Sequence, residues 1–360
     1  MTLRPLIARI DGATIEPYPL RAADGAELGL CRIVRGASDE PKPAVLLTHG
    51  LTASTDMFVL PETRNMVEVL LDNGFEPWLF DWRGSCRLQH NVSGSTYTFD
   101  DVALYDIPAA VAAVRERIGD RKLFVVAHCI GALTFSMSMA AGLVPGLAGV
   151  VAQGVFLTPK LALGPRLRLS FFSDLIRPVI REIPVDFRKV GLWSRYTPVF
   201  ALASVGADCP DPTCQILHNS AWGTGASLFH HDNLHPVTHD RLAELLGSAP
   251  TWILSHLRKI ELARTVVSWH EGDPRYSALP LNALDNADRI DCPVLLLSGS
   301  ENRLWMDSNK LCKEVLARRQ PQLDTQYIEV AGYGHFDAFV GRSSAIDVFP
   351  HITNWLQQRT

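Results

Sequence analysis

The amino-acid sequence predicts an α/β fold: a mostly parallel sheet flanked by helices, with a helical cap insertion. Apolar runs of strand length alternate with stretches of helical period over residues 43–156 and resume after residue 291. Alternation of that kind buries a parallel sheet between two helical layers. Between 157 and 290 the rhythm gives way to irregular, helix-like sequence rich in Pro, Trp and His. At about 130 residues this stretch is far longer than a loop and reads as a mostly helical cap. The third observation is positional. His49, Gly50, Cys129, Glu301, Asn302 and His335 all fall at the carboxyl ends of expected strands, the edge at which such sheets bind ligands. The expected division is a core over 1–156 and 291–360, with the cap over 157–290 between its two parts.

Taken in order, TIEPYPLRA (14–22) and ELGLCRIVR (27–35), joined by the turn residues of AADGA, read as an antiparallel sheet edge. PAVLLTHG (43–50) is a continuous apolar run, as a strand buried on both faces requires. A helix is expected over 61–72 and a strand over 75–84. An amphipathic helix follows over 100–119, where apolar residues recur at three and four positions and Gly119 lies just past the end. KLFVVAHCIGA (122–132) supplies a buried strand and a sharp turn, followed by a helix over 130–142 and a strand over 147–156. After the cap come CPVLLLSG (292–299), a helix over 307–319 capped by Asp307, the strand TQYIEVAG (325–332) and a last helix over 344–358.

The 360 residues are 47% apolar and carry a net charge of −4. That content can bury a large core, and the charge lacks the basic footprint of a nucleic-acid binder. The start, MTLRPLIARIDG, is too soon broken for a signal peptide and no apolar run spans a bilayer, so a cytoplasmic protein without a transmembrane segment is expected. Seven cysteines, an odd number, argue against a disulfide framework. Cys209 and Cys214, in DCPDPTC, form half of a metal site with no second pair at ligand spacing, and read as a proline-held loop. The histidines of FHHDNLHPVTHD (230, 231, 235 and 239) read as a polar rim of the cap, since Pro236 interrupts any single helical face. No metal ligand is assigned.

Cys129 sits in the turn after the 122–127 run, with Ala127 and Gly131 two positions to either side. A nucleophile on a sharp strand-to-helix turn needs small neighbours, and the helix that follows aims its first amides at the reaction centre. By itself the turn reads equally as a buried cysteine ending a core strand. Its context adds HG at 49–50, DWRG at 81–84, VLLLSGSENR before the last strand and GYGHFD after it. With these the chain resembles the α/β-hydrolase superfamily over nearly all its length outside the cap, and the order Cys129, Asn302 region, His335 matches that family's order of nucleophile, acid and histidine. More closely, VVAHCIGALTF, LFHHDNLHPVTHD, ENRLW and GYGHFDAFVG are similar to the hydrolase-like segments fused to cholesterol-oxidase-type flavoproteins. No G-x-G-x-x-G follows a strand here, so no flavin or other redox cofactor is expected.

The resemblance implies a role for each candidate. Cys129 attacks an acyl carbon, His335 is the base, and the backbone amides of Leu51 and Ile130 form the oxyanion hole. Where superfamily members commonly place Asp, this chain has Asn302, preceded by Glu301. Either Asn302 orients the imidazole as a neutral partner, the favoured reading, or Glu301 turns inward as carboxylate; Asp307 comes third, since it is expected to cap the helix that follows. Asp81 and Arg83 are expected to brace the loop after their strand, and His128 to pack beneath the elbow. The cap segment 166–189 mixes apolar and basic residues; lying on a membrane surface and sheltering an apolar substrate are both open to it, while Pro178 and Pro184 favour an ordinary cap helix packed on the core, so the apolar substrate rests on this composition and the resemblance together. The expected activity is hydrolysis of an ester, thioester or lactone through a Cys-bound acyl thioester. The alternatives are acyl transfer through the same intermediate, or a non-catalytic ligand-binding protein on a hydrolase fold.

Overall fold

A computed structural model describes residues 5–36, 41–91, 96–167, 169, 178–186, 194–198, 201, 209–217 and 228–360. Its centre is an eight-stranded sheet in the order β1-β2-β4-β3-β5-β6-β9-β10. The strands are β1 (Ala13–Arg21), β2 (Glu27–Arg35), β3 (Ala44–Thr48), β4 (Glu76–Asp81), β5 (Leu123–His128), β6 (Gly149–Gln153), β9 (Val294–Gly299) and β10 (Thr325–Val330). β7 (Glu182–Ile183) and β8 (Ala249–Pro250) pair with each other in the cap. From β4 to β10 all pairings are parallel, and β1 and β2 form the antiparallel edge. β3, β4, β5, β6 and β9 are buried at every position, which is why they read as unbroken apolar runs rather than alternating ones. The N-terminal hairpin, the parallel order and the late return of the sheet all match the expectation.

Several helices differ at their ends. The helix expected from 61 begins at Met66, because Asn65 accepts the Glu68 amide at 3.0 Å while Glu68 accepts the Asn65 amide. A reciprocal box of that kind, worth about 1 kcal/mol, fixes the first turn where it occurs. The helix expected over 100–119 starts at Phe99 and carries a π turn over Val102–Asp106 before Ile107–Ile118. The extra residue in that turn leaves Asp106 buried against Arg83, whose Nε donates to it at 3.0 Å. Arg83 also holds Asp24, and Asp81 accepts from Thr55, Ser85 and Arg87, so both residues brace their loops as expected. The last helix is split into Ser344–Asp347 and Phe349–Gln357. Asp307 stands at the head of Ser308–Arg319 in a left-handed conformation, yet makes no capping bond; its carboxylate pairs with Lys160 at 3.2 Å.

Residues between β6 and β9 carry short helices, the β7–β8 pair and the helix Trp252–Ala263. That helix turns Ile253, Leu257 and Ile260 into the core. His256 accepts from the Phe99 amide at 3.2 Å and lies 2.8 Å from the Val267 carbonyl. Asp100 accepts from Ser268, Trp269 and His270. These bonds seat the insertion on the helical layer of the core. Within the 166–189 segment, residues 168, 170–177 and 187–189 lie outside the described residues. No helix among the described residues is long and apolar enough to cross a membrane.

Candidate active site

Cys129 occupies the junction of β5 and the helix Ile130–Ala140 with φ 55° and ψ −124°. A side chain held at positive φ costs about 1–3 kcal/mol and persists only where the surroundings impose it. Here they do so through close packing. A Cβ added to Gly131 would lie 2.4 Å from the His49 carbonyl oxygen, and one on Gly50 would lie 2.7 Å from the Cys129 Cβ. The small residues therefore let the His49-Gly50 loop close onto the turn. His49 serves as a brace: it stacks on Trp82 at 5.2 Å, and the Trp82 indole donates to its carbonyl at 3.0 Å.

The sulfur is 5% exposed as part of its residue and lies where the amides of Ile130 and Leu51 face it. Burial pushes the Cys129 thiol up to about 11; the Trp305 indole N–H and the two amides pull against that shift without cancelling it. The thiol is thus neutral at rest. Desolvation outweighs the helix N-terminus, whose amides on their own would lower the thiol.

His335 follows β10 in the turn Tyr333–Gly334 and is fully buried. Its amide and that of Phe336 donate to Leu228 of the cap at 3.2 and 2.8 Å. Gly154 makes room for the ring, since a Cβ there would stand 2.5 Å from His335 Cε1. Side-chain ligand atoms of His128, Cys129 and His335 all lie within 4.8 Å of one another. Burial holds His335 well below the ordinary histidine range, and neighbouring His128 lowers it further. Neither ring nitrogen has a hydrogen-bond partner among the described residues.

His128 does more than pack beneath the turn. Its ring lies 4.7 Å from that of His335, and its Nδ1 lies 2.5 Å from Gln153 Oε1. Gln153 Nε2 donates to the His335 carbonyl at 3.1 Å. A carbonyl can only accept, so the Gln153 amide orientation is fixed, and its oxygen in turn accepts a hydrogen bond from His128 Nδ1–H. His128 is held as the Nδ1–H tautomer with a bare Nε2. Burial lowers it to about 4, despite the opposing Gln153 bond. Gln153 and Trp305 were not singled out from sequence. The available signal was positional, since Gln153 ends the strand beside β5.

Asn302 is buried on the loop after β9. Glu301 N–H donates to Tyr333 O at 2.8 Å, which ties that loop to the His335 turn. The Asn302 Oδ1 accepts from the amides of Leu304 and Trp305 at 3.2 and 3.1 Å, while its Nδ2 is buried without a hydrogen-bond partner among the described residues. Glu301 stands elsewhere. Its side chain is 42% exposed and pairs with Arg303 at 3.3 Å, so the fold places the amide, not the carboxylate, in the buried position.

Residues 43–169 match the α/β hydrolase fold family. Lipase member K of Mus musculus is 32% identical over 371 residues, covering 96% of this chain and 89% of that protein. The chain belongs to the α/β-hydrolase fold family. Other matches of this α/β hydrolase are shorter: lipase member K of Homo sapiens is 33% identical over 47% of this chain and 46% of that protein. Lysosomal acid lipase/cholesteryl ester hydrolase of Rattus norvegicus is 30% identical over 44% of each. The chain thus spans about half the length of several curated relatives it matches. Among solved structures, a thermostable carboxyl esterase from Bacillus coagulans superposes with a TM-score of 0.60 at 13% identity, covering 96% of this chain and 98% of that one. A monoacylglycerol lipase from Paleococcus ferrophilus gives 0.55 at 16% identity, covering 93% and 100%. At these identities the likeness is one of fold.

Proposed function

We propose that this α/β hydrolase cleaves carboxylic esters of apolar acyl groups through an acyl thioester on Cys129. The observation that carries this reading is the convergence of a strained, small-flanked Cys129 with two backbone amides facing its sulfur and a neutral imidazole beside it. The names of its relatives, among them triacylglycerol lipase and cholesteryl ester hydrolase, favour a hydrophobic ester.

Because Cys129 and His335 both rest neutral, the proton moves in the step itself. His335 takes the thiol proton as sulfur bonds to the acyl carbon, and the carbonyl oxygen gains charge against the amides of Leu51 and Ile130. The tetrahedral centre then expels the alcohol, which leaves with the proton from His335. Water repeats the sequence, with His335 as base, and frees the acid and the thiol. Asn302 is a positioning residue in this scheme. It shapes the loop beside the His335 turn and supplies no charge. The burial of Cys129 supports one second reading, transfer of the acyl group to an alcohol, amine or thiol, because a thioester shielded from water keeps its activation for another acceptor.

Single-turnover mass spectrometry with activated acyl esters tests the proposal. Acylation of Cys129 faster than of the other cysteines, and its loss in Cys129→Ala, is expected. Acylation no faster than in unfolded chain sinks the enzyme reading. Turnover that requires an added acceptor, with negligible free acid, replaces hydrolysis by transfer. His335→Ala is expected to lose more activity than Asn302→Ala.

A further inference from the structure

We propose that Cys209, Cys214, His231 and His239 form a zinc site in the cap that pins the cap to the loop bearing His335. The four side chains come from two separate stretches, and their ligand atoms all lie within 4.8 Å of one another. Cys214 Sγ is 3.0 Å from His231 Nε2, and Cys209 Sγ is 3.5 Å from His239 Nε2. A tetrahedral zinc with bonds of about 2.3 Å to sulfur and about 2.0–2.1 Å to nitrogen holds its ligand atoms about 3.3–3.8 Å apart. With separations of 3.0 and 3.5 Å and all four atoms within 4.8 Å of one another, the cluster needs only shifts of about an ångström or less to take that size. Two thiolates and two imidazoles are a soft tetrahedral donor set that suits zinc over magnesium or calcium.

Along the chain the two halves look unrelated, which is why no metal was expected. Pro236 interrupts any single helical face between the histidines. In space it begins the helix Pro236–Asp240, which carries His239, while His231 opens the 3₁₀ turn His231–Asn233 before it. The rings meet at 5.4 Å. On the other side, Asp211 accepts the Cys214 amide at 2.9 Å and Gln215 donates to the Cys209 carbonyl at 2.9 Å, closing the CPDPTC loop so that both sulfurs face inward. All seven cysteines are free, this pair included. Binding releases two protons as two Zn–S and two Zn–N bonds form.

The site also has a mechanical consequence. Leu228 receives the amides of His335 and Phe336, and Asn233 donates to Gly332 and Asp337 at 2.8 and 2.6 Å. A cation on His231 therefore fixes the stretch that bonds to the His335 turn from both sides of that ligand. Cys129 is no part of the site, so the zinc assignment stands or falls independently of the esterase reading.

The test is elemental analysis of the full chain, purified without chelators and with any affinity tag removed. About one zinc per chain is expected, falling about tenfold or more in Cys214→Ser and in His231→Ala. Cobalt added to the zinc-free chain should give tetrahedral d–d bands and thiolate charge-transfer absorption. A chelator should lower the melting temperature of the wild type only. Zinc content no different between wild type and Cys214→Ser, or a Cys209–Cys214 disulfide in a chain without metal, overturns the proposal. If the variants do not fold, the wild-type zinc content and the cobalt spectrum decide it.

Discussion

At the scale of single residues, the governing fact is that burial outweighs the charge-stabilising contacts at Cys129 and goes unopposed at His335. Burial lifts the thiol to about 11 and holds the imidazole well below its ordinary range, so no thiolate–imidazolium pair exists at rest. The sign follows directly. Alkylation of Cys129 by a neutral reagent, read on its own peptide, should rise about tenfold per pH unit from 7 upward without levelling before about 11, whereas an ordinary thiol levels near about 8.5. A plateau below neutrality would reveal a preformed ion pair and discard this account. Asn302 offers a second test. Asn302→Asp keeps the oxygen that accepts from Leu304 and Trp305, so a purely loop-shaping residue tolerates it. If the side chain acts on His335, the new carboxylate raises the pKa of the imidazole, and the acid limb of kcat/KM moves to higher pH. An unchanged pH profile would confine Asn302 to the loop. Cys129 and His335 were legible because their needs are local: small flanking residues and a glycine-bearing turn after a strand. The tautomer of His128 was not, since Gln153, 25 positions away, sets it through the folded sheet.

At the scale of elements, the turn from β5 into its helix is a steric object before it is a chemical one. Gly131→Ala should destabilise by about 1–3 kcal/mol or more, because the added methyl meets backbone, the His49 carbonyl at 2.4 Å, rather than a side chain able to swing away. Gly25→Ala is the contrast: its φ is +91° but nothing lies within 4 Å, so it should cost only the backbone strain of about 1–2 kcal/mol. Urea melts of the two variants compare them; a Gly131→Ala cost no larger than that of Gly25→Ala would mean the loop relaxes freely. Strands were read accurately because β3, β5, β6 and β9 are buried on both faces and leave an unbroken apolar signature. Helix starts were read less well. The Asn65–Glu68 box depends on individual side-chain bonds, and the π turn at Val102–Asp106 is a one-residue irregularity that periodicity does not register.

At the scale of the molecule, the cap and the core meet at a seam that sequence period cannot reveal, because it joins residues about a hundred positions apart. Asn233 is its centre, donating to Gly332 and to the Asp337 carboxylate from one amide nitrogen. Asp337 is buried; that burial raises its pKa, while the Gly334 amide and Asn233 hold it down. Asn233→Ala removes a donor and leaves a buried carboxylate poorly satisfied, a loss of about 1–3 kcal/mol. Amide exchange should quicken at residues 332–337 with it, since those residues are then held to the cap through the Leu228 carbonyl and the His230 amide without the Asn233 side chain. Asn233→Asp should be worse at neutral pH, because two carboxylates then share one buried site and only one can ionise readily. The native variant binds a proton that its unfolded chain does not, so its stability should recover as pH falls toward about 4, whereas that of Asn233→Ala should not. Parallel melting curves at pH 7 and pH 5 check this. If the two variants respond alike, Asp337 does not depend on Asn233, and the Leu228 carbonyl and the His230 amide are enough to hold the cap to the His335 turn.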